Sequence, residues 1–170
     1  MPGYAFACFA AGTVSVFTAG FLKALWKLLY AAGVCDFQVL NTMFLPTQSL
    51  GLLLTGLGIV LMLTGRKRAA LAAAPPVFSG TFVFITMMVL GLGALCAGLS
   101  VLAAKLKKRG TIVLFVLSFL CYMGMGYLAS RDATSAAVNW CEQGVNCLGQ
   151  AFMLWGVLVL HKAGLPDFPA

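Results

Sequence analysis

The sequence predicts an all-α fold: a polytopic transmembrane helix bundle of about five spans, with one interfacial or re-entrant segment between spans 1 and 2. Of its 170 residues, 62% are apolar and 9% are charged, and the mean hydropathy is +1.01. Soluble domains contain about 25% charged residues, and one of this size leaves about a third of its chain surface in water. The apolar residues also form continuous runs, without the two-residue alternation of a membrane β-barrel. We therefore expect a single integral membrane domain over residues 1–170.

Five apolar stretches are candidates for membrane-spanning helices, which need about 20 residues each. They cover residues 4–22 (with room to extend to 32), 48–64, 77–104, 111–130 and 135–161. The connections between them carry helix-ending signals. Pro75 and Pro76 precede the third stretch, and the basic turn KLKKRG follows it. Asp132 or Thr134 is suited to cap the fifth stretch.

The segment between the first two stretches is too apolar for a solvated loop, yet it is rich in polar side chains. It contains Asp36, Gln38, Asn41 and Gln48. Trp26 and Tyr30, just before it, are suitable anchors at a membrane interface, and Pro46 interrupts any helix that precedes it. Irregular backbone at membrane depth needs protein or a water cavity around it. The pattern therefore predicts an interfacial helix or a re-entrant segment.

The charge of the chain is concentrated at the edges of the apolar stretches. Eleven Lys and Arg against four Asp and Glu give a formal net charge of +7. The bases cluster at Lys23 and Lys27, at 66–68 and at 105–109, without the basic face and interleaved aromatics that nucleic-acid binding requires. Such clusters indicate contact with lipid headgroups. We expect the lipid bilayer as a partner, no nucleic acid, and a multi-pass location in a plasma (inner) membrane, with the orientation left open by a weak charge bias.

The last stretch carries a set of polar residues at helical spacing, which we call the polar stripe. Its members are Asn139, Glu142, Gln143, Asn146 and Gln150. At 100° per residue, these five side chains occupy an arc of about 100° on one helix face. Lipid is not a suitable neighbour for that arc. The polar stripe must therefore face the interior of the bundle, a partner subunit or water.

Two interpretations of the polar stripe remain open. In the first, it lines a cavity or pathway in which Glu142 supplies a charge or a titratable proton and the amides supply hydrogen bonds. In the second, it joins helices, because Asn and Gln hydrogen-bond across membrane helices with about 0.6–2 kcal/mol each. Five polar residues in register exceed what helix association usually needs, which favours the cavity. A late start of the helix would place Glu142 near the headgroups.

A second group of candidate binding residues lies between the first two stretches. It consists of Asp36, Asn41 and Gln48, with Gln38 beside them. In the simpler interpretation, Asp36 caps a helix or belongs to an interfacial loop. In the alternative, this group shares one cavity with the polar stripe, where two carboxylates and several amides suit a cation, a proton or a polar headgroup.

The sequence carries no convincing signal for a catalytic centre, a metal site or a cofactor. His161 is the only histidine, so a bis-histidine haem within one chain is excluded. The six cysteines include no CxxC pair or zinc-type spacing, and no glycine-rich phosphate loop occurs. We therefore predict no catalytic residues, no metal ligands and no cofactor, and we expect the cysteines to act mainly as packing residues.

Small residues at helical spacing predict places where helices approach closely. One such seam consists of Gly51, Thr55 and Gly58 in the second stretch, and another of Gly93, Ala97 and Ser100 in the third.

These patterns lead us to expect a small transporter or channel-like protein that moves a small polar or cationic solute through a cavity lined by the last helix. We expect a homo-oligomer, because one five-helix chain has little interior for a sealed pathway. Two alternatives stay open. In the first, the protein is a non-catalytic subunit of a larger membrane complex, with membrane partner subunits on the polar stripe. In the second, it is a membrane enzyme acting on a lipid or quinone.

Overall fold

The computed structural model describes residues 3–64, 81–128 and 136–165. In these ranges the chain forms helices joined by short turns, and no strand occurs. The helices are α1 (Gly3–Ala31), α2 (Gln38–Thr42), α3 (Phe44–Thr64), α4 (Thr81–Lys105), α5 (Thr111–Leu128) and α6 (Ala136–Lys162). The predicted all-α fold is thereby confirmed. The predicted helix-ending prolines Pro75 and Pro76 and the predicted caps Asp132 and Thr134 lie outside the described residues.

Four parts of the described chain are long and apolar enough to cross a membrane. They are α1, the stretch Gln38–Thr64 that contains α2 and α3, most of α4, and α6. Helix α5 is shorter, with 18 residues. At 1.5 Å per residue it is about 27 Å long, close to the ~30 Å thickness of a hydrocarbon core. With four to five helices suited to span the bilayer, the chain is a multi-pass membrane protein.

The end of α1 and the start of α3 differ from the expected boundaries. Helix α1 is continuous to Ala31, so the extension beyond residue 22 belongs to the first helix. Helix α3 begins at Phe44, four residues before the expected start, with Pro46 in its first turn. Proline is tolerated there because the first N–H groups of a helix have no partner within it. The short helix α2 forms the helical part of the segment between the first two spans.

The helices form two compact units, residues 1–95 and 96–169, and the boundary falls inside α4. In the first unit, α1 and α3 pack as an antiparallel hairpin. A β-carbon added at Gly12 would lie 2.5 Å from the backbone nitrogen of Thr55, and one added at Gly58 would lie 2.6 Å from that of Phe9. Gly51 approaches the backbone of Val16 in the same way. The predicted seam of small residues in α3 is therefore confirmed.

Helix α4 approaches α3 within the first unit at a different glycine from those predicted. Gly91 lies directly against the backbone of Leu52 and Leu53, and Gly56 lies against the carbonyl of Gly91. The predicted seam began at Gly93, and its member Ala97 is exposed. Helix α4 is hydrophobic around its whole circumference, so its sequence pattern does not specify which face packs.

In the second unit, α5 and α6 also pack as an antiparallel pair. A β-carbon added at Gly156 would lie 2.5 Å from the ring of Phe115, and one added at Gly149 would lie 3.1 Å from Cβ of Cys121. Between these contacts, the hydroxyl of Ser118 donates a 2.8 Å hydrogen bond to the carbonyl of Gly149. The two glycines of α6 therefore define the face that α5 covers.

Candidate functional site

The polar stripe of α6 is divided between a half-buried and an exposed part. Asn139, Glu142 and Asn146 are half-buried, whereas Gln143 and Gln150 are exposed. The packed face of the helix explains the division, because the buried Gly149, Gly156 and Leu160 lie on one side of it. Glu142 precedes Gly149 by seven residues and so lies within about 20° of it around the helix. Glu142 is thus the member of the stripe nearest the packed face, and the exposed Gln143 and Gln150 lie farthest from it around the helix.

Two exposed tryptophans indicate how deeply the polar stripe enters the membrane. Trp140 is 78% exposed and Trp155 is 63% exposed, and 15 residues separate them, or about 22 Å along the helix axis. Tryptophan is enriched at both membrane–water interfaces. On this reference Glu142 lies about 3 Å inward from the level of Trp140, and Gln150 about 15 Å inward. The stripe therefore begins near the level of Trp140 and reaches past the midpoint between the two tryptophans.

The amides at the inner end of the stripe are joined to each other. Nε2 of Gln150 donates a 3.1 Å hydrogen bond to Oδ1 of Asn146, one helical turn away. This bond uses one donor of Gln150 and one acceptor position of Asn146. A side-chain amide offers two donors and one carbonyl oxygen, so each group keeps further capacity for hydrogen bonds with a solute, a water or another helix.

The other group of candidate residues lies at the end of the α1–α3 hairpin, in the first unit. Asp36 accepts hydrogen bonds from Nε1 of Trp26 (3.0 Å) and Nε2 of Gln38 (3.2 Å). The Trp26 ring stacks on Tyr30, with 5.8 Å between ring centroids. Asp36 thus ties the connecting segment back to α1. This geometry fits the simpler interpretation of Asp36 as an interfacial loop carboxylate.

The connecting segment starts at a glycine turn that ends α1. Gly33 has a φ of +66°, the N–H of Val34 bonds to the carbonyl of Leu29, and the N–H of Gly33 bonds to that of Tyr30. These two bonds define a Schellman motif, in which glycine adopts the left-handed conformation at no steric cost. The turn carries the chain back toward Trp26 and so places Asp36 within its reach.

Gln48 and Asn41 lie nearer the body of the hairpin, and both are half-buried. The Oε1 atom of Gln48 is buried and accepts no hydrogen bond from any described residue. Leaving a buried acceptor unsatisfied costs about 1–3 kcal/mol. The contacts between α1 and α3 continue toward this end of the hairpin, where the antiparallel register brings Gln48 to the level of the fully buried Ala19.

The structure therefore joins some of the predicted site residues into two pairs. Asp36 binds Gln38 in the first unit, and Asn146 binds Gln150 in the second. The expectation that both groups surround one cavity stays a prediction. Among the described residues, no cluster of three His, Cys, Asp or Glu side chains is suited to hold a metal ion.

Sequence reasoning missed two features of the second unit. The first is the hydrogen bond from Ser118 to Gly149. The seven-residue spacing of Gly149 and Gly156 was the available signal, because it marks the face of α6 that α5 approaches closely. The second is an open cavity of about 430 Å³ beside the basic turn between α4 and α5. Trp155 forms part of its wall. The helical pattern places Trp155 on the side of α6 opposite the polar stripe and gives no sign of a cavity there.

In comparisons with protein-family models, curated proteins and solved structures, none matches this chain.

Proposed function

We propose that the protein is a small transporter or channel-like protein of a plasma (inner) membrane, which moves a small polar or cationic solute along the polar stripe of α6. The observation that carries this proposal is the exposure of Gln143 and Gln150 on a membrane-spanning helix. An amide without a hydrogen-bonding partner in hydrocarbon costs several kcal/mol. A water-filled path or another protein surface must therefore cover these side chains.

The order of the groups along the stripe supports a pathway for cations. Glu142 lies near the level of Trp140, where a solute arriving from the aqueous phase first meets the helix. Its carboxylate raises the local concentration of cations although the chain as a whole carries a formal charge of +7. Asn146 and Gln150 follow at increasing depth and offer donors and acceptors that substitute for part of the solute's hydration shell.

A second copy of the chain would complete the pathway. Gln143 and Gln150 are exposed, so the polar face is only half enclosed. Symmetric dimers place the same surface on both subunits, and an amide suits this arrangement because it both donates and accepts hydrogen bonds. A homo-oligomer would thus cover the exposed amides while leaving a polar passage between the copies.

The first test is flux through vesicles that contain the purified chain. Entrapped pH-sensitive and potassium-sensitive dyes report proton and K⁺ entry, and swelling in glycerol reports a neutral solute. We expect Glu142→Gln to lower cation flux roughly tenfold or more, because it removes the only charge of the stripe. Asp167→Asn removes the same charge from the C-terminal tail and should leave the flux unchanged.

The oligomer size of each variant must be measured beside its flux. Glu142→Gln protein must elute from size-exclusion chromatography at the volume of the wild type, so that lost flux is not lost assembly. If the wild-type chain conducts none of the three probes, or if both carboxylate variants behave alike, the proposed pathway is wrong.

The non-catalytic subunit is the second candidate, and the bond between Asn146 and Gln150 favours it. The two amides satisfy each other in part within α6, and their remaining donors and acceptors suit hydrogen bonds to a neighbouring helix. In this case the polar stripe binds a helix of a different protein. Purification from the native membrane in mild detergent distinguishes the subunit from the transporter. A stable partner at fixed stoichiometry, which is lost in a Gln143→Leu/Gln150→Leu variant, indicates the subunit. A symmetric oligomer indicates the transporter.

A further inference from the structure

The turn between α4 and α5 presents three consecutive bases at one edge of the second unit. Helix α4 ends in a Schellman motif, with the N–H of Lys108 bonded to the carbonyl of Ala103 and the N–H of Lys107 bonded to that of Ala104. Lys107 adopts a left-handed conformation with a φ of 57°. The chain therefore reverses sharply, and Lys107, Lys108 and Arg109 are all exposed.

An open cavity of about 430 Å³ lies beside this turn. Its lining residues are Lys107, Lys108, Arg109, Gly110, Thr111, Leu114 and Trp155. The polar part of the wall is thus formed by three bases and the first residue of α5, and no carboxylate belongs to the lining. The positive end of the α5 dipole adds to the field of the bases. An anion is the ligand that this part of the wall favours.

The other part of the cavity wall is apolar and faces the membrane. Leu114 lies one helical turn into α5 from the basic turn, and Trp155 of α6 is 63% exposed. The antiparallel register of α5 and α6 sets Trp155 near the level of Phe115. Trp155 lies about two turns before the end of α6 at Lys162, and tryptophan is enriched at membrane–water interfaces. We therefore expect the cavity to lie where lipid headgroups meet hydrocarbon.

We propose that this cavity is a binding site for a phospholipid with net negative charge. The phosphate of the headgroup lies among Lys107, Lys108 and Arg109, and the upper part of an acyl chain lies against Leu114 and Trp155. A zwitterionic lipid matches the site less well, since no carboxylate in the lining pairs with its cationic group. Soluble phosphate would use the bases and leave the apolar wall without a partner.

Fluorescence of Trp155 in reconstituted vesicles tests this site. Phospholipids brominated on the upper part of the acyl chain quench a tryptophan that they contact. The signal of Trp155 is isolated as the difference between the wild type and a Trp155→Phe variant in the same vesicles. Brominated phosphatidylglycerol should reach half-maximal quenching of this signal at a mole fraction roughly tenfold lower than brominated phosphatidylcholine, because each base near an anionic lipid contributes about 1 kcal/mol.

The bases are tested by a pair of variants with equal change in charge. Lys107→Gln/Lys108→Gln/Arg109→Gln should lose most of the preference for phosphatidylglycerol. Arg66→Gln/Lys67→Gln/Arg68→Gln removes three charges from the segment after α3 and should keep the preference. A third measurement needs no variant. Raising the ionic strength of the wild-type sample to about 1 M shortens the Debye length to ~3 Å and should also reduce the preference for phosphatidylglycerol.

Three outcomes would overturn the proposal. Equal quenching by the two brominated lipids in the wild type would show that the cavity does not select an anionic lipid. Retained preference in the 107–109 variant would place the selective site elsewhere. Relief of quenching by inorganic phosphate or glycerol phosphate would identify a site for soluble anions in place of a lipid.

Discussion

The hydroxyl of Ser118 on α5 and the carbonyl of Gly149 on α6 form a hydrogen bond of 2.8 Å, and both residues are buried. The absence of a side chain at Gly149 lets the two helices come close enough for this bond, since a β-carbon there would lie 3.1 Å from that of Cys121. Glu142 lies on the same side of α6, two turns earlier. The contact between Ser118 and Gly149 therefore sets the rotation of α6 and with it the direction of the polar stripe.

Removing this bond should destabilise the second unit. We expect Ser118→Ala to lower the free energy of unfolding by about 0.5–1.5 kcal/mol, the usual contribution of one hydrogen bond. Thermal unfolding in detergent measures the loss. Ser100→Ala is the matched control, because the Ser100 hydroxyl bonds to the carbonyl of Cys96 in its own helix. Equal losses in the two variants would contradict a special role for the bond between helices.

Gly156 should tolerate no larger side chain. The Cβ of Gly156→Ala would lie 2.5 Å from the Phe115 ring, and overpacking of this kind costs about 1–3 kcal/mol. The same substitution at Gly144, where nothing lies within 4 Å, should be neutral or slightly stabilising, since alanine favours a helix. The unfolding midpoint is the measurement. Partial recovery in a Gly156→Ala/Phe115→Leu double variant would assign the loss to the ring, and a loss unchanged by Phe115→Leu would refute that cause.

The α1–α3 hairpin offers an equivalent comparison within one helix. Gly12→Ala would bring a β-carbon to 2.6 Å from the carbonyl oxygen of Gly51. Because backbone atoms cannot rotate away as a side chain can, we expect a loss of about 1–3 kcal/mol or more. Gly20→Ala, in the same helix with nothing within 4 Å, should leave the unfolding midpoint unchanged. Similar midpoints for both variants would argue against the close approach of α1 and α3.

The buried amide of Gln48 is tested by a substitution that removes its polar atoms. Gln48→Met removes the buried, unpartnered Oε1 atom and keeps a similar volume, so we expect stability to hold or to rise, by up to about 1–3 kcal/mol. Gln38→Met, which loses a hydrogen bond to Asp36, is the control and should show a small loss of stability. A clear loss of stability in Gln48→Met would mean that the amide has a structural partner.

The closely packed face of α3 was predictable because its signal is local. Gly51, Thr55 and Gly58 share one helix face, and small residues in a membrane helix have few uses other than close packing. The corresponding prediction for α4 was wrong at Ala97, which is exposed. In a helix that is apolar all round, glycines at several positions satisfy the same spacing, and only the neighbouring helix selects Gly91 among them.

The candidate site was predictable to the level of a helix face. A period of 3.6 residues places five polar side chains of α6 in one arc. It does not reveal that Glu142 and Gly149 lie on the packed side while Gln143 and Gln150 are exposed. That division depends on where α5 lies, and this depends in turn on the shape of Phe115 and on the hydroxyl of Ser118, 31 residues from Gly149 in the chain.

The sequence by itself determined that this chain is a multi-pass helical membrane protein and that its polar residues are concentrated in a few places. The physical reason is that backbone N–H and C=O groups must all be hydrogen-bonded in hydrocarbon. A long apolar run meets this requirement within itself by forming a helix. Only the tertiary structure decided which partners the polar groups have. Trp26 reaches Asp36 because the turn at Gly33 reverses the chain, and Trp155 joins the basic turn at 107–109 because α5 and α6 are antiparallel. Contacts of this kind join residues far apart in sequence, and no local pattern encodes them.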